Sequence, residues 1–111
     1  MSQRTLRRIK ELRQDFLDSF AERIPKFETW RANAIRPFPE WDALRELRTE
    51  IHQLRGSAGL YQLEELQHLA DSLQQSLDRK LDVAKPGAMS PAELHLLDRM
   101  IEVLKDPSEL D

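Results

Sequence analysis

His52 is surrounded in this sequence by residues that could accept and steady a phosphoryl group. From Leu44 to Ala58 the apolar residues Leu44, Leu47, Ile51, Leu54 and Ala58 recur at intervals of three and four, which predicts a helix with one buried stripe. At about 100° per residue, His52 lies about 140° from the centre of that stripe, so the imidazole is expected at or near solvent. Within about 60° of it lie Arg45, Arg48, Thr49, Arg55, Gly56 and Gly59. An imidazole near its reference pKa of about 6.5 is mostly neutral at pH 7 and keeps a ring-nitrogen lone pair available for attack. Neighbouring arginines disfavour the imidazolium and can hold phosphate oxygens through charge-assisted hydrogen bonds. Phosphoryl transfer asks a protein chiefly for positioning and charge stabilisation, and a partner can bring the metal.

Taken singly, most of these residues have ordinary explanations. A surface histidine needs no function, and arginines on a helix face are commonly paired with carboxylates such as the nearby Glu46 and Glu50. The glycines are harder to dismiss. The chain has only 3 glycines in 111 residues, and two of them fall inside this helix. An interior glycine costs about 1 kcal/mol relative to alanine, so two within four residues call for a compensating role. Close packing of another helix is one such role, and Gly59 also suits a helix end. The other is cleared ground beside His52, where a second macromolecule can approach; Gly56, one turn beyond the histidine on the same side, fits it best.

The elements that must position these residues can be read from the same spacing. Leu6, Ile9, Leu12, Phe16, Phe20 and Ile24 predict a first helix from Gln3 to Trp30, capped by Ser2, buried along that stripe and kinked or broken by Pro25 near Arg23–Ile24. Residues 31–39, with Pro37 and Pro39, read as a loop. The second helix covers about Glu40–Leu60. A third carries Leu63, Leu66, Leu69, Ala70, Leu73, Leu77 and Leu81, and residues 82–89 form a connector around Pro86–Gly87. Ser90-Pro91-Ala92-Glu93 predicts a capping box opening a last helix with Leu94, Leu97, Met100 or Ile101, and Leu104 inside, ended by Pro107. Eighteen leucines against 10 valine, isoleucine and threonine residues together point to an all-α chain. Four amphipathic helices joined by short links predict an antiparallel up-down four-helix bundle, a single domain over residues 1–111.

His52-Gln53-Leu54-Arg55-Gly56-Ser57-Ala58-Gly59, followed by Leu63, Leu66, Ala70 and Leu73, resembles the histidine-containing phosphotransfer (HPt) domain. That family's pattern is a histidine, a basic residue three positions on, then Gly-Ser-Ala and a leucine-rich helix. The resemblance is specific over about Ile51–Leu77 and architectural elsewhere. It implies that His52 carries a phosphoryl group to and from the aspartate of response-regulator receiver domains or a hybrid histidine kinase, with no kinase activity in this chain. Arg55 would assist the phosphate, with Arg48 adding positive charge. Gly56 and Gly59 would admit the receiver, and Gln74 on the facing helix would hydrogen-bond the imidazole. No cofactor is expected in the chain itself; magnesium would sit on the partner. One departure is Gln62, where similar sequences usually have glycine, which implies backbone strain or a different turn.

Composition narrows the alternatives. A net charge of −3 gives no global field for nucleic acid, and Arg4, Arg7, Arg8, Lys10 and Arg13 read as a solvated helix face beside Glu11 and Asp15. The chain has no cysteine and no apolar run near the ~20 residues of a membrane span, and its first residues lack the apolar core of a signal peptide. A cytoplasmic monomer is the expectation. His68 and His95 have no ligand-like spacing, so no metal site is expected. Trp30, Phe38 and Trp41 read as core or loop anchors, with Trp41 on the His52 side. Two rivals remain: a helical adaptor that binds a receiver or kinase without carrying phosphate, and an assembly protein whose glycines serve helix packing.

Overall fold

The computed structural model describes residues 2–83 and 87–107, and they form five helices. These are α1 (Gln3–Asp18), α2 (Phe20–Ala34), α3 (Trp41–Leu60), α4 (Glu64–Leu81) and α5 (Pro91–Lys105). Helices α2 to α5 close a four-helix ring in which each chain neighbour is antiparallel and α2 packs against α5. The expected stripe of α3 is buried in full: Leu44, Leu47, Ile51, Leu54 and Ala58 are all at 1% exposure or less. Leu63, Leu66, Leu69, Ala70, Leu73 and Leu77 complete the opposite wall, while Leu81 only packs against its edge. In α5, Met100 and Ile101 are both buried, beside Leu97, Val103 and Leu104.

The helix ends follow local chemistry. Ser2 Oγ accepts from Thr5 N–H at 3.1 Å. Ser90 and Glu93 form the reciprocal capping box, with Ser90 N–H donating to Glu93 Oε1 at 2.8 Å and Glu93 N–H to Ser90 Oγ at 3.2 Å. The Pro86–Gly87 turn expected before this helix falls partly outside the described residues. Met89, which ends that connector, is buried, and its N–H donates to Ala34 O at 2.9 Å, tying the start of α5 to the end of α2.

The first helix differs from expectation in three ways. It is interrupted at Ser19, and Pro25 lies inside α2, which runs on to Ala34, into the segment read as a loop. Proline removes one backbone donor and crowds the carbonyl a turn earlier. The interruption nevertheless falls further upstream, at Ser19, where the serine bonds back to carbonyls of the preceding turn. Ser19 N–H reaches both Asp15 O and Phe16 O at 3.1 Å, and its hydroxyl donates to Phe16 O at 2.6 Å. Such back-bonding by serine bends helices. Third, the stripe is buried only from Phe16 onward. Leu6 is 46% and Ile9 39% exposed, and every residue from Ser2 to Lys10 is exposed. The molecule measures 51 × 24 × 21 Å. A 20-residue helix such as α3 spans about 30 Å, so α1 projects past the bundle.

Ion pairs bind the ring externally: Arg23 with Glu50 across α2–α3, Arg31 with Asp98 across α2–α5, and Arg99 with Glu65 at 2.7 Å across α4–α5. Burial lowers the Arg23 guanidinium from its ordinary value, and hydrogen bonding to Asp98 raises that of Arg31. Trp30 packs edge-on to Phe27 at 5.4 Å, as an anchor should. Phe38 does not; it is 80% exposed in the α2–α3 link.

Candidate functional site

His52 lies in the middle of α3, exposed on the face opposite the buried stripe. Facing it on α4 is Gln74, 7% exposed and the one buried polar residue among those described. Gln74 Oε1 lies 3.2 Å from His52 Nδ1 and 3.3 Å from Arg55 Nη1. A guanidinium can only donate, so Arg55 fixes the amide with its oxygen toward the pair. The His52 nitrogen facing that same oxygen must then also donate. Nδ1 therefore carries the proton, and Nε2 holds the lone pair.

Two ion pairs flank this contact. Arg55 Nη1 is 3.4 Å from Asp71 Oδ1, and Arg48 pairs with Asp78. All three contacts share one antiparallel register: the steps Arg48, His52, Arg55 along α3 are matched by equal backward steps Asp78, Gln74, Asp71 along α4. The arginines are paired with carboxylates, as is ordinary for a helix face, but not with Glu46 and Glu50. Arg48 and Arg55 are held by carboxylates of α4, and Arg45 by Asp42 at 3.4 Å while lying over the Trp41 ring at 5.0 Å. The carboxylates first considered for them are engaged elsewhere: Glu50 with Arg23, and Glu46 with Trp30 Nε1–H at 3.4 Å.

The two glycines separate cleanly. A Cβ added at Gly56 would meet nothing within 4 Å, whereas one at Gly59 would come within 3.0 Å of Gln67 Nε2. At Gly59 the neighbour is the end of the flexible Gln67 side chain on α4, which a Cβ would have to displace. Nothing inside the fold needs a glycine at 56, yet the helix carries its cost of about 1 kcal/mol.

The turn after α3 is formed despite Gln62. Gln62 takes φ 60°, the left-handed conformation favoured by glycine, and its N–H donates to Gly59 O at 3.3 Å. Leu63 N–H donates to Ala58 O at 2.8 Å, and both of those side chains are buried. This is the Schellman ending, reached with backbone strain and no change of turn. The register of α4 against His52 is thus kept.

Compared with models of known families, residues 11–107 match the Hpt domain. The chain belongs to the Hpt domain family. No curated protein and no solved structure matches it. As an Hpt domain it is a phosphotransfer module of phosphorelay signalling, a phosphocarrier rather than an enzyme. Domains of this family interact with response-regulator receivers and histidine kinases.

The rest of the Hpt surface adds no rival centre. Among the described residues, no three His, Asp or Glu side chains gather as a metal-binding group, and no helix is long and apolar enough to cross a membrane. His68 and His95 are exposed, and His68 lines a surface cavity with Arg55 and Asp71 at the edge of the site. Asp71 and Asp78 are the site residues that reading the sequence missed. Their signal is the spacing: seven residues apart on α4, as Arg48 and Arg55 are on α3.

Proposed function

We propose that His52 is the phosphoacceptor and that it exchanges a phosphoryl group with the aspartate of receiver domains. The observation that carries this reading is the hydrogen bond from His52 Nδ1–H to Gln74 Oε1, which reserves Nε2 as the nucleophile on an exposed ring. The Nε2 lone pair attacks the phosphorus of an aspartyl phosphate. The P–N bond forms as the acyl-phosphate P–O bond breaks, and the aspartate leaves as carboxylate. The ring, now bonded at Nε2 and protonated at Nδ1, carries positive charge. Gln74 Oε1 accepts the charged N–H, a stronger bond than the one it makes to the neutral ring. Donation to a second receiver reverses these steps.

Arg55 stands within reach of both Gln74 and Asp71, so it can turn toward the phosphoryl oxygens while staying near an anion. Arg48 contributes field rather than contact while Asp78 holds it. Gly56 leaves room for the receiver, which brings the magnesium ion; this chain contributes no cofactor and no kinase activity. The relay operates in the cytoplasm.

The test is transfer from a phosphorylated cognate receiver, read as acid-labile phosphate on the protein. Wild type gains label and His52→Gln gains none. Equal labelling of the two overturns the assignment. An adaptor that never carries phosphate predicts instead that His52→Ala preserves the biological output.

A further inference from the structure

Arg48 and Arg55 repeat one arrangement along α3 but are held in different ways. Arg48 Nε donates directly to Asp78 Oδ1. Arg55 divides its contacts: Nη1 donates to Gln74 Oε1 at 3.3 Å and lies 3.4 Å from Asp71 Oδ1, so one nitrogen serves two acceptors. Both distances are long beside the about 2.9–3.0 Å usual for such bonds. The Asp71 carboxylate is itself oriented, because its other oxygen, Oδ2, accepts from Gln75 Nε2 at 3.1 Å. Arg55 and Asp71 also line a surface cavity with Glu64, Gln67 and His68, all toward the start of α4, whereas His52 faces Gln74 a turn further on. The guanidinium thus stands between the amide that supports the histidine and a wall carrying two carboxylates. The Arg55 and Asp71 side chains are 41% and 45% exposed, so an anion brought to His52 can compete for this arginine without disturbing the core.

We propose that Asp71 is a positioning residue that acts through Arg55: it competes with a phosphoryl group on His52 for the guanidinium, and so keeps the module ready to give that group up. The inference rests on His52 as the phosphoacceptor and adds a residue to that reading. The exchange itself needs no further reactant. The His52 Nε2–P bond forms as the acyl-phosphate P–O bond of the receiver breaks, the aspartate leaves with the electron pair, and donation reverses these changes. What Asp71 alters is the free energy of the loaded state relative to the empty one. In the empty state Arg55 is satisfied by Asp71 and Gln74. In the loaded state the phosphoryl oxygens compete for the same donors, and a donor turned to them is taken from Asp71. Without the Asp71 charge Arg55 turns with less opposition, and the phosphoryl group is held more firmly. An exposed ion pair of this kind shifts such an equilibrium by about two- to fivefold, and salt weakens it. Arg48 donates to Asp78 and stands outside the Gln74 contact, so it takes no part in this competition.

The experiment mixes the full chain with a receiver domain carrying radiolabelled aspartyl phosphate. Once exchange has reached equilibrium, it reads the ratio of label on this protein to label on the receiver. Asp71→Asn removes the charge and keeps the shape; it should raise that ratio about two- to fivefold at low salt, with thermal melting nearly unchanged. Asp71→Glu, which keeps the charge, should return the ratio to that of wild type. At about 1 M salt wild type and Asp71→Asn should converge. A packing role for Asp71 would respond neither to salt nor to the restored charge. A double-mutant cycle locates the effect: adding Asp71→Asn to Arg55→Ala should leave the ratio where Arg55→Ala alone puts it. With wild type labelled at His52, a ratio that Asp71→Asn leaves unchanged or lowers would overturn the proposal and leave the phosphoacceptor assignment standing. So would a rise that persists without Arg55, since Asp71 would then act on the phosphoryl group directly. Equal labelling of His52→Gln, run alongside, would overturn the assignment and this inference with it.

Discussion

Helices α1 and α3 are both amphipathic, and both carry a row of basic residues on the face turned from their apolar stripe. On α3 the stripe is buried along its whole length, and Arg48 and Arg55 are tied to Asp78 and Asp71 on α4. On α1 the stripe is covered only at Phe16, and three cations lack carboxylate partners among the described residues. His52 and Leu6 are therefore exposed for different reasons. The histidine stands on a supported helix, with Gln74 beneath it and bare backbone at Gly56 beside it. Leu6 is exposed because the rest of the molecule stops short of it. Exposure that the fold has gone to the cost of arranging points to chemistry; exposure by overhang points to a missing neighbour.

The strongest way to break this comparison is through stability. Phe16→Ala removes the last supported ring of α1, an edge-on partner of Phe20 at 5.0 Å. It should lower unfolding free energy by about 3 kcal/mol. Leu6→Ala, measured in dilute solution, should change it by less than about 0.5 kcal/mol. Urea unfolding of the two variants checks both numbers, and a large loss at Leu6 would show that α1 is supported after all. The second way acts on transfer. Gly56→Gln fills space that is open in the fold, so the helix should keep its thermal stability or gain slightly. Phosphoryl transfer from a receiver should fall by about 100-fold, because displacing the partner by an ångström misaligns the reacting atoms. Normal transfer by that variant would make Gly56 an ordinary helix glycine.

How far each region could be read from the sequence follows the same division. Helices α3, α4 and α5 were legible because every apolar repeat in them has a partner opposite, and Ser90 with Glu93 marks a start without tertiary help. Periodicity identifies the face a helix would bury, but not whether anything lies across from it. The stripe of α1 therefore read as core although Leu6 and Ile9 are exposed. The break at Ser19 was hidden for a related reason: Pro25 announces an interruption, while the one observed falls six residues earlier, where the Ser19 hydroxyl bonds back to Phe16 O. At the site, His52, Arg55 and Gly56 were legible from rotation about one helix. The Asp71 and Asp78 partners were not, since they require the register between two helices. Gln74 came only through a family likeness, and the structure sets it against the imidazole.

The site's own support can be sharpened through Gln74. Gln74→Leu keeps the volume and removes the oxygen shared by His52 Nδ1 and Arg55 Nη1. The loss of one hydrogen bond that strengthens as the ring becomes charged should slow phosphoryl transfer on the order of tenfold. In the free protein, nitrogen NMR of His52 should show the Nδ1–H tautomer losing its dominance. A variant with slower transfer and an unchanged tautomer ratio would reduce Gln74 to a packing residue.

The smallest expected effect lies at the end of α3, between the two regions compared. Gln62 holds φ 60°, a conformation that costs a residue with a Cβ about 1–2 kcal/mol and glycine almost nothing. The hydrogen bonds of the turn, Gln62 N–H to Gly59 O and Leu63 N–H to Ala58 O, involve only backbone, so glycine can make them equally well. Glycine is also freer in the unfolded chain, which offsets part of the gain. Gln62→Gly should therefore raise unfolding free energy by about 0.5–1 kcal/mol, seen as an upward shift in melting temperature. Transfer at His52 should be unchanged, because the turn already holds α4 in register with α3. If relieving the strain also altered transfer, the geometry at His52 would depend on tension in this turn, and the site would be less self-contained than its three contacts across α3 and α4 imply.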